Sequence, residues 1–181
     1  MHRKIILLAQ LVVTMLCLMF YAGTMAAQQN AAALSASPQI GGESAPDFEL
    51  KVVAGEGQSL RLSTLRGKGV LLVFWAPWSG PSKAELEFYV ELQKQYAASG
   101  LQVIAVALDD SSEAVILDFA KRQHVNYPVL LGTGSVIDHY QVEKLPASIF
   151  INRDGLIVAR ESGVAAPARI TSHIRKALLP D

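Results

Sequence analysis

Two serines three residues apart, Ser79 and Ser82, sit in the stretch WAPWSGPSK at residues 75–83. At that spacing, on the first turn of a helix, two side chains share a face. A pair of cysteines so placed would suit disulfide exchange. Hydroxyls cannot perform it, because exchange needs a thiolate to attack sulfur and a second thiol to resolve the mixed disulfide. The chain holds one cysteine, Cys17, inside an apolar N-terminal stretch, where it reads as apolar filler. Residues 27–181 therefore contain no thiol. Disulfides, thiolate metal ligands and peroxide reduction through a sulfenic acid are excluded there for the same reason.

A serine nucleophile would need a base within hydrogen-bond reach. His124, His139 and His173 are far from the motif in sequence, and WSGPS lacks the Gly-x-Ser-x-Gly elbow of hydrolases. Scattered histidines without thiolates do not make a metal site, so no metal and no cofactor are expected. A structural reading fits the serines better. Serine is favoured at helix N-caps, Pro81 suits a first helical turn, and Ser82 with Glu85 matches a capping box. Glu85 carries two readings. It is either a capping or dipole-favoured glutamate, which is preferred, or a retained, partly buried acid. The second follows from the stripe Glu85, Tyr89, Leu92, Tyr96 at helical spacing.

These residues need a frame, and the hydrophobic pattern supplies one. Strands are predicted at 48–53 and 59–62, as a hairpin around AGEG, and at 70–75 and 101–108, which are continuous apolar runs suited to burial on both faces. A short strand is expected in YPVLL, and two more at 147–151 and 156–160, joined by a tight NRDG turn. Helices are predicted at 81–98, 112–123, 136–142 and 167–179. The second has Val115, Ile116, Phe119 and Ala120 on one face, and the last has Pro167 at its first position. Strands alternating with helices imply parallel crossovers; the closing hairpin adds antiparallel strands.

The 16 basic and 16 acidic residues balance, so no electrostatic footprint for nucleic acid exists. His2-Arg3-Lys4 followed by an apolar stretch to Ala22 reads as a signal peptide or N-terminal membrane anchor over residues 1–26. Either reading exports the rest. Residues 27–42, rich in Ala, Gln and Ser, read as a flexible linker, and 43–181 as the folded domain.

APDFEL, LSTLRGKGVLLVFWAPW, KAEL, GLQVIAVALDD and KLPASIFINRDGLIV follow in order from about residue 42 to the end. In this the chain resembles the TlpA/ResA-like branch of the thioredoxin superfamily, exported thiol-disulfide oxidoreductases. The resemblance implies an α/β thioredoxin fold: a central mixed β-sheet with helices on both faces, an N-terminal β-hairpin extension and an extra strand-helix insert. It places Ser79 and Ser82 where the family has its Cys-x-x-Cys. It makes Glu85 a counterpart of a glutamate that assists proton transfer, and Pro146 a cis-proline. Trp75, Trp78, Pro81, Leu145 and Pro146 would then surround a groove that holds an extended peptide in the family. Glu87 and Ala147 also depart from the family pattern, which commonly has proline and threonine there.

The sequence thus favours an exported, redox-inactive thioredoxin-fold protein that binds extended or unfolded envelope protein segments, among them the clients of a redox-active paralogue. It would meet the membrane only through an uncleaved N-terminal segment. The alternative from resemblance alone is a disulfide reductase of the envelope or of cytochrome c maturation. A form with its cysteines replaced by design is compatible with the same sequence.

Overall fold

Seven consecutive apolar or small residues, Gly69–Trp75, form the middle of the sheet, and every one is buried. A strand alternates its side chains between faces. Leu71, Val73 and Trp75 accordingly enter one core, while Val70, Leu72 and Phe74 enter another. A strand sandwiched this way cannot alternate polar with apolar, which is why its sequence is a continuous hydrophobic run.

The computed structural model describes residues 42–108 and 112–179. The proposed leader at 1–26 and almost all of the linker lie outside the described residues. No helix among the described residues is long and apolar enough to cross a membrane. The strands are β1 (Glu43–Ser44), β2 (Glu49–Ala54), β3 (Ser59–Arg61), β4 (Gly69–Trp75), β5 (Leu101–Ala107), β6 (Val129–Leu131), β7 (Ala147–Ile151) and β8 (Leu156–Ser162). The helices are α1 (Gly80–Tyr96), α2 (Glu113–Arg122), α3 (Gly134–Tyr140) and α4 (Pro167–Leu178).

One eight-stranded sheet runs β1-β8-β7-β4-β5-β6-β2-β3. The β4–β5 and β5–β6 pairs, joined through α1 and α2, are parallel. The β4–β7, β7–β8, β1–β8, β2–β6 and β2–β3 pairs are antiparallel. The mixed sheet and the N-terminal hairpin are as the sequence predicts. The α2–β6 segment is the strand-helix insert, lying between β5 and α3.

Apolar residues of α1, α2 and α4 share the core that holds Trp75, including Leu86, Tyr89, Ile116, Phe119, Ile170 and Ile174. The other face is covered by α3, through Val136 and Tyr140, and by Phe48, Leu50 and Leu62 of the N-terminal region. Two local expectations need correction. The first helix does not run to residue 98: α1 ends at Tyr96, and a 3-10 turn, Ala97–Ser99, closes on Gly100 at φ 92. Glycine takes that left-handed conformation without the Cβ clash other residues meet. Val115, expected in the apolar stripe of α2, is exposed; the stripe that packs is Ile116, Phe119 and Ala120.

Candidate functional site

β4 delivers the chain to Ala76, and a short turn, closed by the Ser79 amide donating to the Ala76 carbonyl at 3.0 Å, leads into α1. Ser79 is the N-cap residue in backbone terms, with extended φ −84 and ψ 106. Its side chain does not cap the helix. Instead the Ser82 hydroxyl donates to Ser79 Oγ at 2.9 Å, and both residues are buried. The capping readings are therefore corrected. The two hydroxyls satisfy each other, and Ser82 lies inside the first helical turn rather than before it. Pro81 occupies that turn, where its missing N–H has no intrahelical acceptor to lose.

Glu85 is likewise not a capping or first-turn residue, since the first turn of α1 carries no acid. Its side chain is buried. Oε1 accepts the Ala165 amide at 2.9 Å, and Oε2 accepts the Tyr89 hydroxyl at 2.9 Å. Tyr89 Oη in turn pairs with Ser148 Oγ of β7 at 2.8 Å. The i, i+4 spacing of Glu85 and Tyr89 made this contact legible; Ser148 and Ala165 were missed. Ser148 left a faint signal, as the lone polar residue in the strand ASIFI.

Burial lifts the Glu85 carboxyl above the usual carboxylate range, against the Ala165 and Tyr89 hydrogen bonds that favour its charge; Glu161 adds a smaller repulsion. Burial also pushes the Tyr89 hydroxyl well above its ordinary value, so it remains a neutral donor. The folded protein thus holds the Glu85 proton more tightly than the unfolded chain does. This contribution to stability is full below the unfolded value near 4.5 and declines as pH rises through the higher folded one. Glu85→Gln is expected to flatten that part of the stability–pH curve, measured by urea unfolding between about pH 4 and 8. An unchanged slope would show that Glu85 titrates normally.

Beside this line lies a second polar group. Glu161 of β8, also buried, receives Arg169 Nη2 and pairs with His173 Nε2, each at 2.8 Å, which ties β8 to α4. His173 is thereby accounted for. No histidine hydrogen-bonds Ser79 or Ser82 among the described residues. Ser79 Oγ accepts the Ser82 proton, and no histidine among the described residues is placed to act as its base.

The five residues expected around a groove separate into two groups. Trp75 is fully buried, its ring 4.7 Å from that of Phe119, so it belongs to the core and not to a surface. Strand alternation puts it there, since position 75 points to the face covered by α1, α2 and α4. Trp78, in the turn after β4, is 70% exposed. Pro81 is exposed, Leu145 half-buried and Pro146 buried. The Leu145–Pro146 peptide is cis.

Comparison with known proteins agrees with this geometry. The model of the AhpC/TSA family matches residues 41–160. Thiol-disulfide oxidoreductase ResA of Bacillus subtilis is 35% identical over 134 residues, covering 74% of this chain and 73% of that protein. Its counterpart from Oceanobacillus iheyensis is 35% identical over 136 residues, covering 74% and 70%. Among solved structures, a putative thiol:disulfide interchange protein DsbE from Chlorobium tepidum superposes with a TM-score of 0.69 at 31% identity, covering 76% of this chain and 97% of that one. The chain belongs to the AhpC/TSA family, in its ResA/DsbE-type thiol-disulfide oxidoreductase branch, and carries Ser79 and Ser82 at the turn into α1.

Proposed function

We propose that this protein is a redox-inactive member of its family that works in the cell envelope by binding extended polypeptide segments beside the first turn of α1. The observation that carries the reading is the buried Ser82–Ser79 hydroxyl pair, at 2.9 Å, in a domain without a single thiol. Electron transfer has no sulfur to pass through. What survives is shape: an exposed Trp78, the Leu145-Pro146 segment, and the helix N-terminus that follows Trp78 in the chain. Exposed tryptophan beside free backbone suits capture of extended segments, because an indole offers a large contact area at small entropic cost. Export is supported by the leader-like residues 1–26.

The test is site-specific photocrosslinking through the exposed position 81 in cells, followed by identification of what is attached. Unfolded envelope proteins are expected in the wild-type sample. Trp78→Ala, crosslinked from the same position, is expected to lose most of that capture while its Tm stays within about 1–2 °C of wild type, since a lone exposed side chain contributes little to stability. Equal capture by Trp78→Ala would overturn this reading.

A further inference from the structure

The turn that precedes β4 carries Arg66 and Lys68, both exposed. They line one small cavity with Asn152 and Gly155 of the β7–β8 turn. Arg153, in that turn, ties this end of the fold together. Its Nη1 donates to the Gly67 carbonyl at 2.9 Å, Nη2 to the Ser99 carbonyl at 2.8 Å and Nε to the Leu178 carbonyl of α4 at 3.3 Å. The last turn of α4 adds Arg175 and Lys176, both exposed, and the helix gives way to Leu179, which is 63% exposed. Elsewhere Lys51, Arg61, Lys94, Arg122, Arg160 and Arg169 each pair with a carboxylate. Among the described residues, none of the cations at this end does. Asp154 and Asp181 are the acids next to them in the chain, so the end stays net positive. Cations in the last turn of α4 complement its dipole, but Arg66 and Lys68 lie in a turn and have no such role.

Unpaired cations around an exposed leucine match the chemistry of a membrane interface. Lipid phosphates supply the missing negative charge, and the apolar side chain enters the headgroup boundary. We propose that this end of the domain rests on an anionic phospholipid surface, with Arg66, Lys68 and Arg175 against headgroup phosphates and Leu179 in the interface. This rests on the envelope location in the reading above. The described domain also begins at this end. Glu43 and Ser44 pair with Ile157 and Leu156, and the Ala45 amide donates to the Gly155 carbonyl at 2.9 Å. A membrane tether joined there draws this end, and not the other, toward the bilayer. Trp78 lies beyond the far end of β4, whose seven residues span about 20 Å. Docking in this way turns the Trp78 surface toward water.

The experiment uses the full chain, reconstituted in vesicles of phosphatidylcholine alone or of equimolar phosphatidylcholine and phosphatidylglycerol. Cys17→Ala removes the native thiol, and Leu179→Cys carries an apolar nitroxide label read by electron paramagnetic resonance. Val115→Cys, exposed on α2, carries the control label. In the mixed vesicles the label at 179 is expected to gain relaxation by dissolved oxygen and to lose relaxation by a water-soluble nickel chelate. Neither change is expected in phosphatidylcholine alone or at position 115. Lys68→Gln and Arg175→Gln should each lower the ratio of docked to free label about fivefold, the worth of one cation at an anionic surface, and added salt should lower it too. A label at 179 that stays in water in both vesicles, or that meets lipid equally in both, overturns the inference. Docking that survives both substitutions together overturns it as well, and so does immobilisation of the label by an acidic envelope protein in place of lipid. Protease treatment of intact spheroplasts keeps the two readings apart. A domain digested from outside but without lipid contact in vesicles sinks this inference alone, whereas a protected domain sinks the envelope location with it.

Discussion

Replacing Ser79 and Ser82 together by cysteine is expected to create a redox-active protein from an inert one. Wild-type protein should leave the dithiothreitol-driven reduction of insulin at the rate of a protein-free blank. The double variant should accelerate it at least about tenfold, with dithiothreitol supplying two electrons and two protons to a 79–82 disulfide and the resulting dithiol passing them to an insulin disulfide. The geometry argues for this directly. The two oxygens are hydrogen-bonded at 2.9 Å, so the side chains already point at one another and their Cβ atoms need little movement to carry a disulfide. The first position is the N-cap of a helix of 17 residues, where the helix dipole and free amides pull a thiol below its ordinary value of about 8.5. Ser79→Cys alone should give a trapped mixed disulfide with a client and no turnover, since nothing resolves it. A double variant that forms its disulfide yet stays at the blank rate would move the block to Glu87 or Ala147, the other departures from the family pattern.

Trp75→Ala is expected to destabilise the domain by about 3–5 kcal/mol, read from urea unfolding. The indole is fully buried at the end of β4 and packs at a tilt against Phe119 of α2, so truncation removes a contact between sheet and helix and leaves a cavity. The indole Nε1 has no hydrogen-bond partner among the described residues. Trp75→Phe removes that unpaired donor and keeps a ring, so it should cost clearly less than the alanine variant. Trp78→Ala, three residues on, should stay within about 0.5 kcal/mol of wild type. Equal losses at the two positions would show that Trp78 also packs into the core.

That contrast marks what a sequence can disclose. The buried strands were legible because burial on both faces demands unbroken apolar runs, and β4 and β5 have them. Tryptophan is compatible with either side of a boundary. Trp75 is the last residue of β4 and Trp78 belongs to the turn, and only the end of the strand separates core from surface. The serines were legible as a pair, since three residues on a helix bring side chains together, but their mutual hydrogen bond displaced the capping role that serine usually takes. The Glu85–Tyr89 contact follows from helical spacing. The Glu85–Ala165 contact does not: it spans 80 positions and ends on a backbone amide, which has no side-chain signature. Ser148 is hidden for the same reason, because its role depends on Tyr89, which lies on a distant segment.

The sheet order bears on the proposed binding of unfolded chains. Its two edges are β1, two residues long, and β3, three residues long. Glu43 on β1 pairs with Arg160, and Arg61 on β3 pairs with Glu49, so both borders carry charge. β1 covers only Leu156 and Ile157 of β8, so the border left for a further strand on that side is Val158–Ser162, where Arg160 carries charge. Under the proposed binding of extended segments, such short, charged borders favour adherence through side chains over extension of the sheet.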